Sequence, residues 1–195
     1  QKLEEEERVK EEAADNRSVS EKFADCLILG DSITQGLYEY GVLDEANVQA
    51  DRGTEVSEVS SKKIEEHIKK AKEMKPEVLF LAYGMNDIEA QNGNASGFVK
   101  AYKNVIEDLK ESLPDTKIYV NCILPAAQSA IETRPLFANV PKFNQKLKKL
   151  CKKEKVTFID NTDLVKQEYY ADDGIHISPS YYTRWVDHMA EAAGL

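Results

Sequence analysis

A chain of 195 residues with 42% hydrophobic and 31% charged residues is sized and balanced for one globular domain. Its net charge of -9 excludes non-specific nucleic-acid binding, which needs a basic surface to displace counterions, and excludes docking on anionic lipid through a basic patch. No apolar run approaches the ~20 residues of a membrane-spanning helix, so direct membrane insertion is not expected.

In chain order, residues 1–22, QKLEEEERVKEEAADNRSVSEK, are polar almost all round. They read as a solvated helical spacer or tether ahead of a domain at 23–195. The chain begins at Gln1 rather than at a methionine. The expectation is an extracytoplasmic protein from which an upstream signal or anchor has been removed. Five strand-like runs follow: ADCLILG (24–30), NVQA (47–50), EVLFLAY (77–83), KIYVNCIL (117–124) and VTFID (156–160). The first, third and fourth are apolar through their middles, as strands covered on both faces are.

Helical spacing recurs between the strands. Ile64, Ile68, Ala71 and Met74 make one face; Phe98, Tyr102, Val105, Ile106 and Leu109 a second. Phe143, Leu147 and Leu150 make a third, and Tyr182, Trp185, Val186 and Met189 a last one. Alternating strands and helices predict an α/β fold with right-handed crossovers: a three-layer α/β/α sandwich on a flavodoxin-like, five-stranded parallel sheet. Cys26, Cys122 and Cys151 are widely spaced, two in predicted strands and one at a helix end. They carry no zinc or CxxC pattern and read as small buried hydrophobes.

Ligands of such sheets bind outside the carboxyl ends of the strands, so the residues just after each strand are the candidates. The first strand is followed by Gly30-Asp31-Ser32, the second by DRGTE with Gly53, and the third by GMND with Asn86 and Asp87. The fourth leads into a long loop, PAAQSAIETRP (125–135), and YYADDGIHISPS carries Asp173 and His176. Alone, Ser32 reads as a helix cap, Gly53 as a turn glycine and Asn86 as a loop residue. His67 and His188 sit inside predicted helices and read as structural or solvated. His176 lies in a Gly- and Pro-flanked loop. Asp173, three residues before it, can reach the near ring nitrogen and fix its tautomer, which frees the far nitrogen to take a proton from a hydroxyl. Asp172 lacks that offset and reads as solvated.

GDSIT, Gly53, GMND and DGIH, in this order and at this rough spacing, resemble the four blocks of the SGNH hydrolases, the GDSL esterase/lipase family. The likeness spans about residues 24 to 190. No GxSxG elbow, HExxH or glycine-rich phosphate loop competes with it. The resemblance implies Ser32 as nucleophile, His176 as general base and then acid, and Asp173 as the orienting carboxylate. It implies an oxyanion hole of the Ser32 and Gly53 N–H groups and the Asn86 side-chain amide. Asp31 and Asp87 are expected to brace loops. No metal and no organic cofactor is implied.

A serine triad of this kind splits or transfers an acyl group, and a carboxylic ester is the expected bond. The chain has no room for a lid domain. An open, shallow site favours short acyl groups such as acetyl on a bulky polar alcohol, including carbohydrate, so the expected partner is a small-molecule or glycan acyl ester. Leu37, Tyr38, Tyr40, Leu124 and Arg134 are candidates for the pocket wall, with ordinary packing the competing reading for the tyrosines. Arg134 would meet an anionic substrate group or simply be solvated. The readings held open are a lysophospholipase or thioesterase for longer acyl chains, a catalytically inactive binding module of the same fold, and an acyltransferase.

Overall fold

The computed structural model of the chain describes residues 15–57 and 62–195. One parallel sheet of five strands runs through it: β1 (Cys26–Gly30), β2 (Val48–Ala50), β3 (Val78–Ala82), β4 (Lys117–Asn121) and β5 (Thr157–Ile159). The order across the sheet is β2-β1-β3-β4-β5, the flavodoxin-like order, and every neighbouring pair is parallel. Leu27 of β1 lies beside Leu79 of β3, and Phe80 beside Tyr119 of β4. β1 is buried at every position and β3 at all but Ala82, which is why both are unbroken apolar runs.

Eight α-helices occur among the described residues: α1 (Val19–Lys22), α2 (Ser32–Glu39), α3 (Lys62–Met74), α4 (Met85–Ala90), α5 (Ala95–Ser112), α6 (Gln128–Thr133), α7 (Val140–Glu154) and α8 (Pro179–Ala193). Right-handed crossovers put α3, α5 and α7 side by side on one face of the sheet, with α2 and α8 paired on the other. α5 shows how the sequence makes such a helix. Asn94 caps it by accepting from the Ser96 and Gly97 N–H groups, and Phe98, Tyr102, Val105, Ile106 and Leu109 bury one stripe. Removing a fully buried ring such as Phe98 would cost about 3–5 kcal/mol. On the opposite face Tyr182 donates its O–H to the Ile33 carbonyl at 2.8 Å, which ties α8 to α2.

Two details depart from the sequence expectation. β4 stops at Asn121, short of residue 124, and Cys122 follows the strand rather than lying within it. The buried Asn121 side-chain oxygen Oδ1 accepts from Trp185 Nε1 and from Asn161 Nδ2, each at 2.9 Å, so the side chain at this strand end is committed to side-chain partners. The 125–135 stretch is not all loop, because α6 forms within it. Its only buried residue is Ala130, and its entry is fixed when Ala127 N–H donates to the Gly174 carbonyl at 2.8 Å, a contact made from far along the chain. All three cysteines are free and buried, and burial pushes their thiols up to about 12. Residues 1–14 of the expected spacer lie outside the described residues. From Asp15 onward the chain carries a reciprocal Ser18–Glu21 capping box on α1 and then Phe23, which is fully buried. Among the described residues no helix is long and apolar enough to cross a membrane.

Candidate active site

β1 hands the chain to α2 at the carboxyl edge of the sheet. Asp31, not Ser32, caps that helix: its carboxyl accepts from the Ile33 N–H at 3.0 Å, and Ser32 becomes the first helical residue. Burial pushes the Asp31 carboxyl up to about 6, against the downward pull of the Ile33 hydrogen bond. At the start of a helix, backbone N–H groups have no intrahelical acceptor and the dipole favours negative charge, so the Ser32 N–H sits where an anion is stabilised.

Ser32 Oγ lies 3.0 Å from His176 Nε2. His176 Nδ1 lies 2.5 Å from Asp173 Oδ2, and the other Asp173 oxygen accepts from the Ile175 and His176 N–H groups at 2.9 Å each. A carboxylate can only accept, so Nδ1 carries the proton and the Nε2 lone pair faces the serine O–H. Burial works to raise the Asp173 carboxyl, but hydrogen bonds from the His176 ring and the two backbone N–H groups outweigh it and hold it below the usual carboxylate range. The loop that carries both is closed on itself, because Ala171 N–H donates to the His176 carbonyl and Gly174 N–H to the Ala171 carbonyl. The His176 side chain is about half exposed, so the imidazole is accessible from solution.

Gly53 and Asn86 follow β2 and β3, the two neighbours of β1 in the sheet. Gly53 has φ +71, a left-handed conformation that favours glycine. Among the described residues a Cβ there would meet nothing closer than Lys63 Nζ at 3.9 Å, so the backbone conformation is what calls for glycine. Gly84 is different. At φ +130 its missing Cβ would lie 2.6 Å from Ile123 Cδ1, so glycine lets the GMND turn pass close to the core. Asn86 Nδ2 donates to the Thr54 carbonyl at 3.2 Å, and the buried Asp87 carboxyl accepts from the Val56 and Ser57 N–H groups and from Ser57 Oγ. Burial raises Asp87, and those hydrogen bonds oppose it. Asp87 thus fastens the Gly53 loop to the Asn86 turn, the bracing role expected for it.

The five residues expected along a pocket wall fall in different surroundings. Leu37 is fully buried in the core, which corrects that expectation: it faces inward from α2. Tyr40 is 48% exposed and packs edge-on against Tyr182, and Tyr38 lines a surface depression with Glu45, Val48 and Asp51. Leu124 is buried and, with Asp31, Tyr83 and Met85, lines a half-open pocket of about 20 Å³, room for about one water molecule. Arg134 forms a two-pronged ion pair with Glu89, at 3.0 and 2.5 Å, and lies over the Phe137 ring. Its side chain is about half exposed, with Nε and Nη2 taken by Glu89. Among the described residues no group of three His, Cys, Asp or Glu side chains could hold a metal ion.

His67, expected to be structural or solvated, is held in a buried cluster. His67, on α3, is fully buried, with Nε2 2.8 Å from Asp51 Oδ2 and Nδ1 2.6 Å from the Tyr83 hydroxyl. Its position offered a signal, because with Ile64 and Ala71 it lies on the buried stripe of the helix.

With the geometry in hand, comparison with known proteins gives the family. The family model described as the GDSL-like lipase/acylhydrolase family matches residues 28–184, and the chain belongs to that family. No curated protein matches the chain. Similar solved structures include a GDSL-like lipase from Bacteroides thetaiotaomicron (16% identity, TM-score 0.68, covering 96% of each chain). A carbohydrate esterase family 3 protein from Talaromyces cellulolyticus is similar at 16% identity and TM-score 0.67, over 86% of this chain and 95% of that one. An acetyl xylan esterase is similar at 20% identity and TM-score 0.60, over 85% of this chain and 98% of that one. At these identities the likeness is one of fold.

Proposed function

We propose that this chain is a serine-dependent O-acyl esterase for short acyl groups, acetyl above all, carried on a polar alcohol such as a sugar. The observation that carries the reading is the 3.0 Å approach of Ser32 Oγ to His176 Nε2, with Asp173 hydrogen-bonded behind the imidazole. In this reading His176 takes the Ser32 proton as the oxygen attacks the ester carbonyl, and Asp173 stabilises the imidazolium that forms. The tetrahedral oxyanion is held by the Ser32 N–H, the Gly53 N–H and the Asn86 amide. His176 then gives its proton to the departing alcohol, and water repeats the sequence on the acyl-enzyme with His176 again as base. Short acyl length is supported by size: the small, half-open pocket beside Asp31 takes about one water, not an alkyl chain. The carbohydrate esterase and the acetyl xylan esterase that share the fold lend support to the alcohol side.

A ladder of p-nitrophenyl esters from acetyl to palmitoyl tests it. The expected kcat/KM is highest at acetyl to butyryl and falls beyond about four carbons, since added methylenes find no enclosed apolar wall. Ser32→Ala should lose about 10³-fold or more in kcat while keeping its Tm. A maximum at about eight carbons or longer would move the reading to lipid or thioester substrates. A folded wild type inert to every ester would leave the binding module.

A further inference from the structure

His67 bridges two loops. Asp51, which it holds through Nε2, lies immediately after β2 and two residues before Gly53. Tyr83, which it meets through Nδ1, lies immediately after β3 and three residues before Asn86. Asp51 can only accept, so Nε2 carries the proton and Nδ1 accepts from the Tyr83 O–H. The two rings lie nearly parallel, with centroids 5.9 Å apart, and Tyr83 in turn packs edge-on against Tyr102 in the core. Asp51 passes the restraint on: its carbonyl accepts from the Thr54 N–H at 3.3 Å and from Thr54 Oγ1 at 2.7 Å, so the Asp51–Thr54 turn that contains Gly53 is closed around it. One turn before His67 on α3, Lys63 Nζ donates to the Arg52 carbonyl at 2.6 Å.

We propose that His67 is a positioning residue for the oxyanion hole, a buried clamp that sets the Gly53 loop and the Asn86 turn at a fixed separation from behind, as Asn86–Thr54 and Asp87–Ser57 do from the front. Its catalytic consequence rests on the esterase reading above; the clamp itself does not. The neutral imidazole donates to one loop and accepts from the other. Burial lowers its pKa, against the upward pull of Asp51, which keeps it in that form. A hole whose donors shift by about 1 Å loses on the order of 10²-fold in rate.

The test uses His67→Leu, His67→Gln and Tyr83→Phe in the full chain, each read by p-nitrophenyl acetate kinetics and by hydrogen–deuterium exchange of segments 51–57 and 83–87. For His67→Leu the expected result is a loss in kcat of about 10- to 100-fold with KM within about twofold, and faster exchange in both segments. His67→Gln, whose amide can donate to Asp51 and accept from Tyr83, should recover most of the loss. Tyr83→Phe removes one bond with little change of shape and should cost about 3- to 10-fold, which keeps the inference testable if His67→Leu does not fold. Folded variants whose two segments exchange as in the wild type overturn the clamp, whatever the activity. Loosened segments in a chain with no Ser32-dependent turnover uphold the clamp and sink the esterase reading instead.

Discussion

The molecule contains two chains of carboxylate, imidazole and hydroxyl, and they differ in where the hydroxyl ends. Asp173–His176–Ser32 stands at the carboxyl edge of the sheet with its imidazole half exposed, and the proton-accepting nitrogen there is Nε2. Asp51–His67–Tyr83 runs behind that edge with its imidazole fully buried, and there the accepting nitrogen is Nδ1. The bonds are alike in length, so hydrogen bonding alone does not separate the chain proposed as reactive from the buried one. Access and the hydroxyl decide. Ser32 starts a helix and faces solution; Tyr83 is 2% exposed, and burial raises its hydroxyl pKa well above the ordinary tyrosine value. A proton relay whose hydroxyl meets no electrophile fixes geometry.

The sharpest way to break this comparison is His176→Ala set beside His67→Leu. Removing the half-exposed His176 should lower kcat on p-nitrophenyl acetate by about 10³- to 10⁴-fold and leave the Tm within a degree or so, since little packing goes with it. The buried histidine should show the reverse balance, a smaller kinetic loss with a clear drop in Tm. Equal kinetic losses from the two would mean that the buried chain does more than hold loops.

Asn86→Ala comes next in size. Its amide is the one side-chain donor assigned to the oxyanion, and loss of such a donor costs about 10²- to 10³-fold in kcat. KM should stay near the wild-type value, because the charge it stabilises develops only in the transition state. A change confined to KM would instead place Asn86 against the ground-state substrate. Since Asn86 also donates to Thr54, exchange of segment 51–57 in this variant shows how much of the loop's order comes from the front contact.

How much of this was legible in the sequence follows from where each signal lives. β1 and β3 are buried on both faces, so their apolar runs mark them directly. Ser32, Gly53, Asn86, Asp173 and His176 fall after strands or in a marked loop, and the order of the four short blocks carries their likeness to the family. α6 was not legible, because its one buried residue is an alanine and its entry depends on Gly174, far along the chain. Nor was the partnership of His67: periodicity puts it on the buried stripe, but the choice of Asp51 and Tyr83 is made only when β2 and β3 flank β1 in the sheet. Leu37 misled for a related reason, since a residue five places past the serine is near the site in sequence while the helix turns it into the core.

The smallest expected effect is on stability, and it concerns Asp31, the residue beside the serine. Its carboxyl is raised from 3.8 to about 6 in the fold, chiefly because burial disfavours the charge. The folded chain therefore binds this proton more tightly than the unfolded one, and stability falls as pH rises from about 4 to about 6 and stays reduced above that. His67 slopes the other way: its lowered pKa makes the unfolded chain the better proton acceptor, so its contribution is full above about pH 6.5 and is lost as pH falls. The two oppose each other in the wild type. Asp31→Asn keeps a side-chain oxygen for the Ile33 N–H and removes the charge. The difference in Tm between this variant and the wild type should be near zero below about pH 4 and grow to about 3–8 °C by pH 8. A variant less stable than the wild type at pH 8 would mean that the ionised carboxylate gains more from the N-terminus of α2 than burial costs it. In the variant the remaining loss of stability toward acid should include the His67 slope, and the double variant Asp31→Asn/His67→Gln should lose that part of it.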